Sequence, residues 1–299
     1  MGKTADLPPA RGRIIKSSGG FYYVVTDEGE TVTTRARGRF RLDGVTPCVG
    51  DFVTVRRTPT GEGMVAEVLP RRNALHRPPV ANIDLLLLVT ATADPAPNRF
   101  VLDKMLAIAA HSGIDAALVV TKSDLAAADE LEKTYRSAGY PVVCVDSLRG
   151  DVSAAAELIR GRVCAVTGNT GVGKSTLLNA LAPELALETG ETSKKLGRGR
   201  HTTRTVELFP VCGGYVADTP GFSALEISEE RPIRTDELAD CFPEFADYVD
   251  SCRFPGCSHT VEKGCAVLEA LREGRIALSR HRSYCALYEE AKQIKEWEK

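Results

Sequence analysis

The stretch RVCAVTGNTGVGKSTLLNAL, residues 162–181, decides the fold. Its opening, Arg162–Thr167, is an apolar run of strand character, and its end, Lys174–Leu181, has helical periodicity. Between them Gly168, Asn169, Thr170, Gly171, Val172, Gly173, Lys174 and Ser175 match G-x-x-x-x-G-K-S/T. A strand that turns through glycines into a helix offers its backbone N–H groups and the positive end of the helix to an anion. The pattern predicts a phosphate-binding loop over Thr167–Thr176. In it Lys174 would reach the β- and γ-phosphates of a nucleoside triphosphate and Ser175 would ligate Mg²⁺.

Working outward, apolar strands alternate with helical segments from residue 83 to residue 217. Strands are expected at Ile83–Thr90, Ala116–Thr121, Val142–Val145, Arg162–Thr167, Val206–Phe209 and Gly214–Ala217. Helices are expected at Asn98–His111, Ala126–Ala138, Val152–Arg160 and Lys174–Leu181. That alternation predicts a multidomain α/β chain whose central unit is a mostly parallel sheet with helices on both faces.

Two segments of this unit bear on the base. Thr121-Lys122-Ser123-Asp124 follows a strand and has the form N/T-K-x-D. A carboxylate such as Asp124 accepts two hydrogen bonds from guanine N1–H and the 2-amino group, an edge that adenine lacks. Asp218-Thr-Pro-Gly221 has the form D-x-x-G, with Asp218 supporting Mg²⁺ and the Gly221 amide sensing the γ-phosphate. Ser147, after the strand ending at Val145, stands where a second guanine-contacting loop would lie. The order is unusual, because the guanine segment precedes the phosphate loop. Parallel sheets can be cut at one surface loop and rejoined at another without losing core contacts, so a circularly permuted GTP-binding domain is expected.

Gly199-Arg-His-Thr-Thr203, after a basic Gly-rich run, has two compatible readings: a solvated loop, or a first switch whose Thr202 or Thr203 hydroxyl completes Mg²⁺ coordination. The position after D-x-x-G, where a water-orienting Gln is common, is Phe222. His201 is the candidate to supply the missing polar group; a contact to an RNA phosphate is its alternative role.

Residues 11–70 read as five short strands separated by Gly-rich turns, which predicts a small closed β-barrel. An OB-fold fits, and an SH3-like barrel would read almost the same. The Pro78-Pro79 pair marks a linker. The formal charge of −2 hides an asymmetry: residues 1–75 carry 12 Lys/Arg against 8 Asp/Glu, and the remainder 26 against 32. A basic module on an acidic body points to a polyanion partner, and the Arg35, Arg37, Arg39, Arg41 arm belongs to it. The expected domains are 1–75 (barrel), 76–227 (nucleotide-binding) and 228–299 (helical, metal-binding).

No apolar run approaches the ~18 residues of a membrane span, and the N-terminus lacks the apolar core of a secretory signal. A cytoplasmic protein is expected. Six of the nine cysteines are scattered and read as small buried hydrophobes, whereas Cys252, Cys257, His259 and Cys265 fall in the pattern C-x4-C-x-H-x5-C. Three thiolates and one imidazole form the ligand set of a closed, structural Zn²⁺ site.

In this order, the motifs resemble those of the RsgA (YjeQ) family of ribosome small-subunit-dependent GTPases, over about residues 10–290. The resemblance implies hydrolysis of GTP to GDP and phosphate, stimulated by the 30S subunit late in its maturation. It implies contact of the barrel and the zinc domain with 16S rRNA; no DNA or membrane partner is expected, and a monomer is expected because no heptad or large apolar face stands out in the sequence. Thr121, Lys122 and Asp124 would read guanine, Thr203 would be the first-switch threonine, and Cys252, Cys257, His259 and Cys265 would hold zinc. Thr170 stands where family members usually carry Ser, and Arg204 where many carry a third Thr.

Overall fold

The computed structural model describes residues 8–36, 40, 45–57, 63–76, 79–185, 206–218 and 232–294. The N-terminal strands are β1 (Ala10–Ser18), β2 (Phe21–Thr26), β3 (Thr31–Ala36), β4 (Phe52–Arg57) and β5 (Gly63–Val68). Their order is β1-β2-β3-β5-β4, and β4 pairs back onto β1, so the barrel closes. β3 and β5 are parallel and the other pairings antiparallel, the Greek-key arrangement of an OB-like barrel. Side chains alternate as the pleat requires: in β3, Val32 and Thr34 are buried while Thr31 and Thr33 are exposed.

The expected linker is built into the structure. β6 (Ala74–His76) and β7 (Pro79–Ala81) form a short hairpin, Val80 is fully buried, and Val49 of the barrel bridges to it. Arg71 clamps the buried Asp51 carboxylate with two hydrogen bonds of 2.7 and 2.8 Å. Asn73 donates to the Ile83 carbonyl at 2.9 Å and accepts from its N–H at 2.8 Å. The segments flanking this hairpin are therefore tied to both neighbouring units by the side chains of Asn73 and Asn82, which a composition shift does not reveal.

The second unit contains β8 (Leu85–Ala91), α1 (Arg99–His111), β9 (Asp115–Thr121), α2 (Asp129–Ser137), β10 (Val142–Cys144) and α3 (Ser153–Ile159). It continues with β11 (Val163–Thr167), α4 (Lys174–Leu181), β12 (Val206–Val211) and β13 (Gly214–Asp218). The strand order is β10-β9-β8-β11-β13-β12, parallel except for β12. All seven residues of β8 are buried, because both faces of the sheet are covered. Leu86, Leu88 and Val120 pack on one face with α1 and α2, in a core continuous with that of the barrel. Leu87, Val89 and Val166 pack on the other with α3 and α4. Each such buried leucine contributes about 1.5–3 kcal/mol.

The C-terminal unit departs from the helical reading made from residue 228 onward. Its first part folds as 3₁₀ turns at Ala239–Cys241, Pro243–Phe245 and Val249–Ser251; α5 (Ala266–Arg272) and α6 (Leu278–Lys292) follow the cysteine cluster. It has an aromatic core of its own, in which the ring centroids of Phe242, Phe245 and Tyr284 lie 4.9–5.4 Å apart in tilted and edge-on contacts. Among the described residues, no helix is long and apolar enough to cross a membrane.

Candidate nucleotide site and metal centre

β11 delivers the chain into the 168–175 loop. A side chain at Gly168 would lie 2.2 Å from the Val89 carbonyl, so only glycine fits there. Gly173, with φ +91°, is the left-handed residue that caps α4. Lys174 Nζ donates to the carbonyls of Gly168 (2.6 Å) and Asn169 (2.8 Å), which folds its ammonium across the loop. Ser175 and Thr176, in the first turn of α4, are partly exposed, whereas Val172 is buried. Thr167 is fully buried and its hydroxyl has no hydrogen-bond partner among the described residues.

Thr121 ends β9 beside this loop. Its hydroxyl lies 2.6 Å from the Val172 carbonyl and 3.2 Å from that of Thr90, and its side chain sits against Gly173. Lys122, held at φ +56°, donates to the Asp94 carbonyl, and Thr92 donates to the Lys122 carbonyl. Ser123 and Asp124 are exposed on the turn that follows. The Ser147–Gly150 turn is closed by reciprocal backbone bonds between Asp146 and Asp151, with the Ser147 hydroxyl enclosed and without a partner among the described residues. The T-K-S-D segment and the 168–175 loop thus meet at the carboxyl end of the parallel strands.

A third wall of this site is not apparent from the motifs. The segment between β8 and α1 carries Asp94, which accepts from Lys122, and Pro95, which lies 3.6 Å from the position of a Gly171 side chain. Asn98 then caps α1 by accepting from the Val101 N–H. The only sequence signal for this wall is its Asp-Pro-Ala-Pro run, a turn signature with no chemistry attached. His201, Thr202, Thr203, Gly221, Phe222, Arg37, Arg39, Arg41 and the Asp218 side chain lie outside the described residues. Arg35 is described, exposed and stacked 4.2 Å over Phe21.

The cysteine cluster comes together as a unit. The ligand atoms of Cys252, Cys257, His259 and Cys265 all lie within 4.8 Å of one another. Cys252 and Cys265 Sγ are 3.8 Å apart, and each is 3.5 Å from His259 Nδ1. A tetrahedral Zn²⁺ with its usual bond lengths requires edges of about 3.8 Å (S–S) and about 3.6 Å (S–N), so the residues fit the ion. Backbone N–H groups of Ala266 and Leu268 donate to the Cys252 and Cys265 sulfurs, as thiolates require. Burial pushes the Cys257 thiol up to about 12, and the neighbouring thiols add to the shift. A dication would displace these protons.

Groups around the cluster hold it in shape. His281 Nε2 donates to the His259 carbonyl at 2.8 Å, and Tyr284 to that of Ser258 at 2.9 Å. Glu262 accepts from the N–H groups of Ser258, Thr260 and Val261. Partial burial pushes its carboxyl up, but these bonds outweigh that and hold it down at about 2. Nothing around His281 in the sequence marks it as more than a surface or core histidine; its bond to a ligand residue emerges only in three dimensions.

The metal unit docks on α1 through Arg280, which is 1% exposed. Its guanidinium bonds Asp103 of α1 at 2.7 Å and both carboxylate oxygens of Glu244 at 2.6 and 3.0 Å, and lies 4.6 Å over Phe242. Burial alone would lower Arg280, yet Glu244 and Asp103 together hold it above its ordinary value.

Comparison with known proteins agrees with this architecture. Residues 68–228 match the RsgA GTPase model and residues 11–65 the RsgA N-terminal domain model. The small ribosomal subunit biogenesis GTPase RsgA of Caldanaerobacter subterraneus subsp. tengcongensis is 43% identical over 95% of this chain and 96% of its own. That of Geobacillus kaustophilus is 44% identical over 96% and 99%. The crystal structure of YloQ, a circularly permuted GTPase, superposes with a TM-score of 0.81 at 32% identity over 99% of both chains. YjeQ from Thermotoga maritima superposes equally well, at 34% identity over 96% of this chain and 100% of its own. With its OB-like barrel, permuted nucleotide-binding sheet and Cys₃His cluster, this chain belongs to the RsgA GTPase family.

Proposed function

We propose that this GTPase acts on the small ribosomal subunit during its maturation and that the subunit stimulates its turnover. The observation that carries the reading is the junction of Thr121 with the Val172 carbonyl, which joins a base-reading segment to a phosphate loop. In the site, Asp124 accepts from guanine N1–H and the 2-amino group, with Thr121, Lys122, Ser123 and the Ser147 turn framing the base. The Thr167–Thr176 segment wraps the phosphates, and Lys174 exchanges its loop carbonyls for the β- and γ-oxygens. Ser175, Thr203 and Asp218 would hold Mg²⁺, which offsets the charge that develops on the phosphoryl oxygens, while Gly221 reads the γ-phosphate. His201 is the candidate to orient the attacking water, because Phe222 cannot.

Cys252, Cys257, His259 and Cys265 bind one Zn²⁺ as a structural ion; four protein ligands leave no position for water. The barrel and the metal unit contact 16S rRNA. Exposed Arg35 stacked on Phe21 and Arg11 5.5 Å from the Phe52 ring supply the charge and aromatic faces that RNA binding uses. The protein works in the cytoplasm as a monomer. GTP turnover of purified protein, with and without small subunits, tests the reading.

A further inference from the structure

The outer edge of β12 is not left bare: it pairs with the barrel. Ser17 of β1 lies opposite Val206 and Lys16 opposite Glu207, with Lys16 Nζ 2.7 Å from a Glu207 carboxylate oxygen. Val206 is the first residue of β12 and stands three positions after Thr203 in the chain. β12 is antiparallel to β13, with Leu208 opposite Ala217. Val206 and Glu207 therefore fall at the carboxyl end of the parallel strands, the end that carries Thr121 and the phosphate loop.

β1 runs parallel to β13, so the β1–β2 turn also ends at that edge. The turn leads into Phe21, the ring under Arg35. From β11 to β1 is three strand spacings, about 14 Å. At the opposite end of β1 the barrel is anchored: Arg13 lies between Phe52 (4.4 Å) and Tyr215 (6.0 Å). Asp84 there accepts from Arg72 at 2.6 Å and from the Val163 N–H at 2.8 Å. The barrel is thus fixed at the base of the sheet. At the nucleotide end, among the described residues, the short β1–β12 pairing and its ion pair join it to the sheet.

We propose that the Lys16–Glu207 pair couples a polyanion bound on the barrel to GTP hydrolysis by positioning the start of β12. Glu207 is a positioning residue: it acts on the strand that leaves the Gly199–Thr203 segment, not on substrate. The inference rests on the reading of the chain as a subunit-stimulated GTPase. Because the pair is partly exposed, its effect is moderate.

The test is a charge-swap cycle. Wild type, Glu207→Lys, Lys16→Glu and the Lys16→Glu/Glu207→Lys double variant are assayed for GTP turnover without subunits and at saturating small subunit, with subunit affinity measured separately by co-sedimentation. Glu207→Lys is expected to keep basal turnover and KM for GTP, and to lose about fivefold in stimulated kcat, with the swap restoring it. Glu207→Gln, which adds no repulsion, serves if the reversal fails to fold, as judged by thermal melting and GDP binding. Unchanged stimulation in the single variants, a swap that does not restore it, or raised basal turnover in Glu207→Gln overturns the coupling. If wild type itself shows no stimulation, the parent reading falls and the coupling falls with it, a result distinct from loss in the variants alone.

Discussion

The Thr121 hydroxyl lies 2.6 Å from the Val172 carbonyl, so the last residue of β9 is fastened to the crest of the phosphate loop. A second acceptor, the Thr90 carbonyl, lies 3.2 Å away, and the one hydroxyl proton is shared between them. The T-K-S-D segment and the 168–175 loop are therefore one mechanical unit, although 47 positions separate Thr121 from Gly168 in the chain.

Removing that hydroxyl should loosen the unit without unfolding it. Thr121→Val keeps the shape and leaves the Val172 carbonyl without its donor, at a cost of about 1–3 kcal/mol. GDP affinity, measured by titration calorimetry, is expected to fall about tenfold, or about 1.4 kcal/mol. Thr121→Ser should retain most of it. Equal affinity in Thr121→Val would mean that the contact does not organise the loop.

Asp124 is exposed and held on the turn after Lys122, free to meet the edge of a base. Asp124→Asn presents an amide that opposes the guanine 2-amino group but donates to the 2-oxo group of xanthine. GTP affinity should drop on the order of 10²-fold or more, and xanthosine triphosphate should become the better ligand. Competition binding with both nucleotides reads this directly; an unaltered preference for GTP would place base recognition elsewhere.

The metal site makes a prediction about protons. Burial and neighbouring thiols hold Cys257 up at about 12 and raise Cys265, so these two metal-free thiols are protonated at neutral pH. Zinc binding near pH 7 should release the protons of Cys257 and Cys265, about two, and affinity should rise with pH. Calorimetry of the chelator-stripped protein, in buffers of different ionisation enthalpy, counts them. Release of no protons would contradict a three-thiolate site.

Arg280 bridges α1 and the metal unit from a fully buried position. Arg280→Met leaves Asp103 and Glu244 as buried, unpaired carboxylates. Global stability should fall by about 3–5 kcal/mol in urea unfolding. Arg280→Lys should recover only part, because a single ammonium cannot reproduce the guanidinium fork. A loss below 1 kcal/mol, within the range of an exposed pair, would show that the metal unit does not depend on this dock.

Different parts of this molecule were legible in the sequence to different degrees, for physical reasons. The phosphate loop could be read because Gly168 and Gly173 occupy positions that no other residue fits comfortably, and the cluster because four ligands must recur at close spacing. Strand positions could be read because buried parallel strands are continuously apolar, as in Leu85–Val89. The 3₁₀ turns over 239–251 were hidden, since Phe242 and Phe245 read equally as positions on a helical face. Arg280, Glu262 and Asp94 were hidden for another reason. A charged residue looks like a solvated one until the chain brings its partner to it. The β1–β12 pairing is likewise a long-range event, recorded by no local pattern in either strand.

The measurement that tests the account most directly is GTP turnover by the purified protein with and without small ribosomal subunits, with ATP as control. The account predicts slow intrinsic hydrolysis of GTP, strong stimulation by the subunit, and no turnover of ATP under either condition. A rate indifferent to the subunit, or an equal rate with ATP, would contradict it.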